Sequence, residues 1–189
     1  MPRSPELMRA VDTALLVVDM QERLLGVIPK AARITWNCRR LIDGAKTLGV
    51  RTIASEQNPD KLGRTAATLA ERIGVTPYAK LDFSCGACDE LHPQWQSAGI
   101  ERVLLCGIET HVCVQQTALD LLSAGYRVYV AADAVGARNA LDHEIALRRM
   151  ESSGAVITTT EAALFEWCER AGTGAFRAIS ALTKEAPPV

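Results

Sequence analysis

Short apolar runs alternate with segments of helical periodicity along the chain, and this alternation constrains the fold more than any other feature. The apolar runs cover residues 13–18, 50–54, 102–106, 127–132 and 155–159. The helical segments cover residues 32–48, 66–73, 111–124, 140–152 and 161–171. After Thr13 the first run is apolar without alternation, which is typical of a strand that is buried on both faces. Because parallel strands need crossover connections, the pattern predicts an α/β fold, a three-layer α/β/α sandwich with a mostly parallel central sheet.

Length and charge exclude several classes of protein. A chain of 189 residues without linker or repeat has the size of one domain, which we place at residues 8–184. The formal net charge of -1 gives no basic field for nucleic acid or anionic lipid. The apolar run 14–18 stops at Asp19 and no signal peptide is recognised, so we expect a cytoplasmic protein without membrane contact. The six cysteines are then expected to be thiols.

In open parallel sheets, ligands bind beyond the carboxyl ends of the strands. The residues that follow the apolar runs are Asp19, 55–57, 107–113 and Asp133. Within this set Asp19 is either a desolvated base or a turn residue. Cys113, near the predicted start of a helix, is either a nucleophile whose thiolate the helix favours or a small core residue. Lys80 lies in a stretch of no clear periodicity and is either functional or an ordinary surface lysine.

Three motifs taken together resemble one known family. They are Leu15-Leu-Val-Val-Asp19-Met-Gln21, Lys80-Leu-Asp-Phe-Ser84 and Cys106-Gly-Ile-Glu-Thr-His-Val-Cys113. Their order and spacing resemble the isochorismatase-like cysteine hydrolase superfamily, and the likeness extends over residues 12–168. The resemblance implies a Rossmann-like fold and a catalytic triad of Asp19, Lys80 and Cys113.

The resemblance also implies a role for each of these residues. The aspartate accepts the thiol proton, the cysteine attacks a carbonyl to form a thioester, and the lysine stabilises the charges. A cis peptide between Ile108 and Glu109 is implied too, so that the backbone N–H groups of Glu109 and Cys113 form an oxyanion hole. The expected activity is hydrolysis of a small amide or related acyl compound, an amidohydrolase reaction on non-peptide C–N bonds.

Metal and cofactor are not expected. Nicotinamidases of this superfamily hold a metal with an aspartate and histidines that precede the catalytic lysine, whereas residues 55–80 contain no histidine. Cys85, Cys88 and His92 form a C-x2-C-x3-H pattern, but a structural zinc site normally needs four ligands. These cysteines are read as coincidental neighbours of the site, with a redox pair or a metal site as the alternatives.

Other residues have weaker assignments. Gln21, Phe83 and His111 flank the motifs and are candidates for substrate binding. His111 cannot pair directly with Cys113 from two residues away on a helix. His92 and His143 are expected to be exposed or capping histidines.

The expected partners are a small-molecule substrate and further copies of the chain, with no nucleic acid and no membrane. Members of the superfamily are commonly homo-oligomers, and Trp167 and Phe176 on the C-terminal helices are candidates for the interface. The competing hypothesis for function is a non-catalytic or redox-sensing protein that uses the same reactive thiol.

Overall fold

Six parallel strands form one sheet in this computed structural model, which describes residues 3–88 and 91–188. The order across the sheet is β3-β2-β1-β4-β5-β6, and every pairing is parallel. The strands are β1 (Thr13–Val18), β2 (Arg51–Gln57), β3 (Tyr78–Lys80), β4 (Arg102–Ile108), β5 (Arg127–Gly136) and β6 (Val156–Thr158). The predicted α/β class and parallel sheet are therefore confirmed.

The described helices cover both faces of the sheet. They are α1 (Glu22–Leu25), α2 (Ala31–Leu48), α3 (Pro59–Leu62), α4 (Ala67–Ile73), α5 (Leu91–Ser97), α6 (Gln115–Ser123), α7 (Ala140–Ser152), α8 (Thr160–Cys168) and α9 (Gly174–Thr183). Buried side chains of α2, α4, α8 and α9 pack on one face, and those of α5, α6 and α7 pack on the other. Since every residue of β1 is buried, this strand contacts both layers, as its unbroken apolar run predicts.

The carboxyl ends of the two central strands, β1 and β4, lie side by side. Val18 pairs with Gly107, and β4 continues one residue further, to Ile108, before the peptide between Ile108 and Glu109, which is cis as the resemblance implies. A π-helical turn, Thr110–Val114, follows and leads directly into α6. The predicted helix 111–124 is thus correct in place, but its first turn is wider than an α-helix.

The interface residue Trp167 was predicted wrongly. Its side chain is 2% exposed and belongs to the core between α8, α2 and the sheet. Phe176 of α9 is partly buried against the same core. A tryptophan in a C-terminal helix of periodic sequence cannot be assigned to core or surface until the helix that covers it is known, and here that helix is α2.

Candidate active site

Four neighbouring strands bring polar side chains to one edge of the sheet. Asp19 follows β1, Ser55 and Gln57 end β2, and Lys80 ends β3. Cys113 follows β4 on the π-helical turn. All five side chains are buried, so they interact in a region from which water is largely excluded.

Lys80 donates to oxygen atoms of four residues. Its Nζ is 2.7 Å from Oδ2 of Asp19 and 2.7 Å from Oε1 of Gln57. The carbonyl oxygens of Phe83 and Asp82 complete the set at 3.0 and 3.3 Å. Burial acts to lower the pKa of Lys80, but the charge of Asp19 opposes it, and the net pKa is raised. The lysine is therefore an ammonium ion held on the aspartate.

The second oxygen of the Asp19 carboxylate is also occupied. The Ser55 hydroxyl donates to Oδ1 at 2.7 Å, and the Cys85 thiol lies 3.3 Å from the Ser55 hydroxyl. The Asp19 side chain has no exposed surface. Its backbone adopts a left-handed φ of 49°, which turns the chain away from β1 at the point where the carboxylate is needed.

Cys113 is held as a thiol. Burial raises the pKa of the Cys113 thiol most, and the nearby Asp19 carboxylate raises it further by its charge and by a hydrogen bond. Lys80 acts in the opposite direction but does not compensate. The predicted effect of the helix N-terminus on this thiol stays a prediction, and burial and the carboxylate act against it.

Side chains around α7 hold the segment that precedes Cys113. The Glu109 carboxylate accepts from Nε and the backbone N–H of Arg138 at 3.0 to 3.2 Å. The Thr110 hydroxyl lies 3.0 Å from Nδ1 of His143. His143 is therefore partly buried and paired with this segment. Burial and the charge of Lys30 lower its pKa, so the ring is neutral near pH 7.

The three residues suggested for substrate binding differ in position. Phe83 is half exposed beside Lys80, and its carbonyl accepts from the ammonium. Nδ1 of His111 is buried and has no hydrogen-bond partner among the described residues. Gln21 is fully buried, and its amide bonds to the backbone of Gln57 and Gly63, so the structure gives it a role in joining loops instead of contacting a ligand.

The cysteine and histidine pattern does not converge on one point. Cys85 contacts Ser55, whereas the His92 ring stacks on Tyr126 with centroids 5.6 Å apart. Within residues 3–88 and 91–188, no three His, Cys, Asp or Glu side chains are grouped to hold a metal. Asp133, at the end of the apolar run of β5, instead accepts from Thr160 at the start of α8.

Sequence reasoning gave no role to Gln57 or Ser55, although both are contacts of the charged pair. The sequence feature that could have identified them is their position directly after the second apolar run, at the carboxyl end of a predicted strand. Polar residues at a strand end are common, and a sequence does not show which of them turn inward.

No helix in the described ranges is long and apolar enough to cross a membrane. The architecture is that of the isochorismatase-like α/β proteins. A structure described as MAR1 ribonuclease from Caenorhabditis elegans matches it with a TM-score of 0.88 and 34% identity, over 97% of this chain and 95% of that one.

The chain belongs to the isochorismatase family and is a hydrolase of that family, because the family model "Isochorismatase domain" matches residues 13–162. Isochorismatase domain-containing protein 2 of Bos taurus is 38% identical over 176 residues, covering 92% of this chain and 84% of the relative. The YcaC gene product of Escherichia coli, described as an octameric hydrolase of unknown specificity, shares the fold with a TM-score of 0.84 at 24% identity, over 96% of this chain and 89% of that one.

Proposed function

We propose that this chain is a cysteine hydrolase that cleaves a small amide or related acyl compound through a Cys113 thioester. The observation that carries the proposal is the buried ion pair between Lys80 and Asp19 at 2.7 Å, both charges of which act on the pKa of the nearby Cys113 thiol. A charged pair in this position can take up a proton and stabilise charge beside Cys113, a nucleophile at the junction between β4 and α6.

The reaction begins when Asp19 accepts the thiol proton as the sulfur attacks the substrate carbonyl. The raised pKa of the thiol means that proton removal and attack must be coupled, since little free thiolate exists at pH 7. The backbone N–H groups of Glu109 and Cys113 stabilise the oxyanion, and loss of one such donor typically costs about 2.7–4 kcal/mol. The C–N bond then breaks, and the proton held by Asp19 passes to the leaving amine.

Water completes the cycle. Asp19 takes a proton from the water as its oxygen attacks the thioester, and the carboxylic acid leaves while the proton returns to the sulfur. Lys80 stays charged throughout and stabilises Asp19 in its anionic form. Phe83 and His111 line the substrate side of this site, and no metal or cofactor takes part.

We propose further that residues 8–184 form one domain of a cytoplasmic homo-oligomer. Strands and helices from Thr13 to Thr183 contribute to the sheet and its two layers. Cys38, Cys85, Cys106, Cys113 and Cys168 are thiols, the state that a reducing compartment maintains. Self-association is supported by exposed apolar side chains on α7, Leu141 and Ile145.

RNA is not proposed as a substrate, although the C. elegans protein is described as a ribonuclease. A net charge of -1 offers no general attraction for a phosphate backbone. A redox-sensing role is disfavoured as well, because a thiol with a raised pKa carries little of the thiolate that reacts with peroxide.

The test measures ammonia release from a panel of small primary amides by the wild type and by Cys113→Ala, with intact mass spectrometry to detect an acyl adduct. We expect release by the wild type, its loss in the variant, and an adduct on Cys113. A Cys168→Ala variant is the control, because that thiol belongs to the core cluster on one face of the sheet, whereas Cys113 belongs to the cluster on the other. Turnover that survives Cys113→Ala contradicts the mechanism, and RNA cleavage without amide turnover contradicts the substrate class.

A further inference from the structure

Gln57 is a buried polar residue that the proposed mechanism does not use. Its side chain contacts both Lys80 and Cys113, the first at 2.7 Å and the second at 3.9 Å from Oε1. The residue is 8% exposed and ends β2. A substrate therefore has little access to it, and any effect on the reaction must act through its neighbours.

The orientation of the Gln57 amide is determined by its contacts. Nε2 donates to the Leu81 carbonyl at 2.8 Å, and Oε1 accepts from the Lys80 ammonium. A flipped amide would place its NH2 group against the ammonium and its oxygen against the Leu81 carbonyl, which are both repulsive contacts. The atom that faces the Cys113 sulfur is consequently an oxygen acceptor and cannot be an N–H donor.

The backbone of Gln57 is also fixed. The Gln21 amide accepts from the Gln57 N–H at 2.8 Å and donates to the Gln57 carbonyl at 3.0 Å. This two-bond contact joins the end of β2 to the segment after β1, which carries Asp19. The amide of Gln57 is thus held in one place relative to the ion pair.

We propose that Gln57 is a positioning residue that presents an acceptor oxygen to both the Lys80 ammonium and the Cys113 thiol. The contact with Gln57 holds the Lys80 ammonium in its position against Asp19. Because Gln57 presents an acceptor and no N–H donor to the Cys113 sulfur, it does not stabilise the thiolate. This inference rests on the proposed function, in which the proton leaves the sulfur only as attack occurs.

The ionisable groups that face Cys113 are Asp19, Lys80 and Cys85. Asp19 and Cys85 disfavour the thiolate, and Lys80 favours it. Gln57 adds an uncharged acceptor to this set. Replacing its oxygen with an apolar group or with a charge should therefore move the titration of the thiol in opposite directions.

The experiment compares Gln57→Met with Gln57→Glu by the rate at which iodoacetamide alkylates Cys113 across a range of pH, followed by peptide mass spectrometry. Both variants lose the donor to the Leu81 carbonyl, so a purely structural role of Gln57 changes the two in the same direction. We expect alkylation by Gln57→Met about twofold faster at neutral pH, and by Gln57→Glu about tenfold slower, which corresponds to a rise of about one pKa unit.

Changes in the same direction, or no change in either variant, overturn the proposal. Circular dichroism establishes that each variant folds. If Gln57→Glu does not fold, Gln57→Met decides alone, since faster alkylation supports the proposal and equal or slower alkylation overturns it. Alkylation needs no substrate, so failure of the proposed hydrolysis appears separately, as a wild type that is alkylated normally but turns over no amide.

Discussion

Lys80 is surrounded by oxygen atoms of four residues, and this determines what its loss would do. The side chain is 3% exposed and Asp19 is fully buried, so neither charge is solvated by bulk water. The Coulomb attraction of such a pair is opposed by the cost of removing both ions from water. The pair is consequently more important for the site than for the net free energy of folding.

Replacing Lys80 with Met should destabilise the protein by about 3–5 kcal/mol, because Asp19 is left as a buried charge without its partner. The double variant Asp19→Asn with Lys80→Met should be destabilised less than Lys80→Met alone. Urea denaturation of the wild type, both single variants and the double variant measures this. Additive losses in the four proteins would show that the two charges do not interact energetically.

Gly107 is a second residue whose replacement should have a predictable effect on stability. Its φ is 118°, and a Cβ at this position would lie 2.0 Å from the carbonyl oxygen of Val18 in the neighbouring strand. That atom belongs to the backbone of the central strand pair and cannot move aside.

Gly107→Ala should therefore cost about 3 kcal/mol or more of unfolding free energy, from the strained φ and the steric overlap together. The matched control is Gly174→Ala at the start of α9, where an added Cβ meets no atom within 4 Å. We expect that control to change stability by less than about 1 kcal/mol. Equal effects of the two changes in chemical denaturation would contradict this explanation.

The π-helical turn that carries Cys113 depends on α7 and the residues just before it. Three consecutive residues are contacted in this way. Glu109 pairs with Arg138, Thr110 contacts His143, and His111 lies near Asp142. Thr110 contacts His143, whose pKa is lowered by burial and by the charge of Lys30.

The folded protein should lose stability as the pH falls below about 6.5, the ordinary value for histidine. Below that value the unfolded chain binds a proton at His143 that the folded chain resists, so stability falls until the pH passes the lowered folded-state pKa. The thermal midpoint of His143→Gln, measured from pH 7.5 to 5.0, should depend less on pH than that of the wild type. Parallel curves for the two proteins would assign the acid sensitivity to other groups.

Secondary structure was predictable where burial imposes a pattern. The unbroken apolar run of β1 and the periodicity of α2 identify both elements. The strand β3, which carries Lys80, has only three residues and lies at the sheet edge, so it has no pattern of its own. The order of Asp19, Lys80 and Cys113 could be recognised, but the orientations of Gln57 and Ser55 depend on contacts between distant segments.

Leu141 and Ile145 are four residues apart on α7 and are 68% and 49% exposed. Residues at this spacing lie on the same face of a helix. A second copy of the chain would remove these side chains from water, and the face lies near the segment that carries Cys113.

Changing Leu141 and Ile145 together to Lys should convert the proposed assembly to smaller species, because like charges would meet at the interface. Light scattering coupled to size-exclusion chromatography measures the mass. Val11→Lys is the control, since Val11 is 77% exposed in the segment before β1. A wild type that is already monomeric, or an assembly that the double change leaves intact, would contradict the role of this face.

The strand order β3-β2-β1-β4 has a consequence for synthesis on the ribosome. β1 emerges first, but one of its two neighbours in the sheet is β4, which begins only at Arg102. At a translation rate of about 5–20 residues per second, several seconds or more pass between the synthesis of β1 and that of β4. During this time one edge of β1 and much of its apolar surface stay uncovered. Asp19 and Lys80 are both translated before Cys113, so a nascent chain contains both residues of the charged pair before it contains the nucleophile. Chaperones that bind exposed apolar segments would therefore act on this chain before Cys113 has been synthesised.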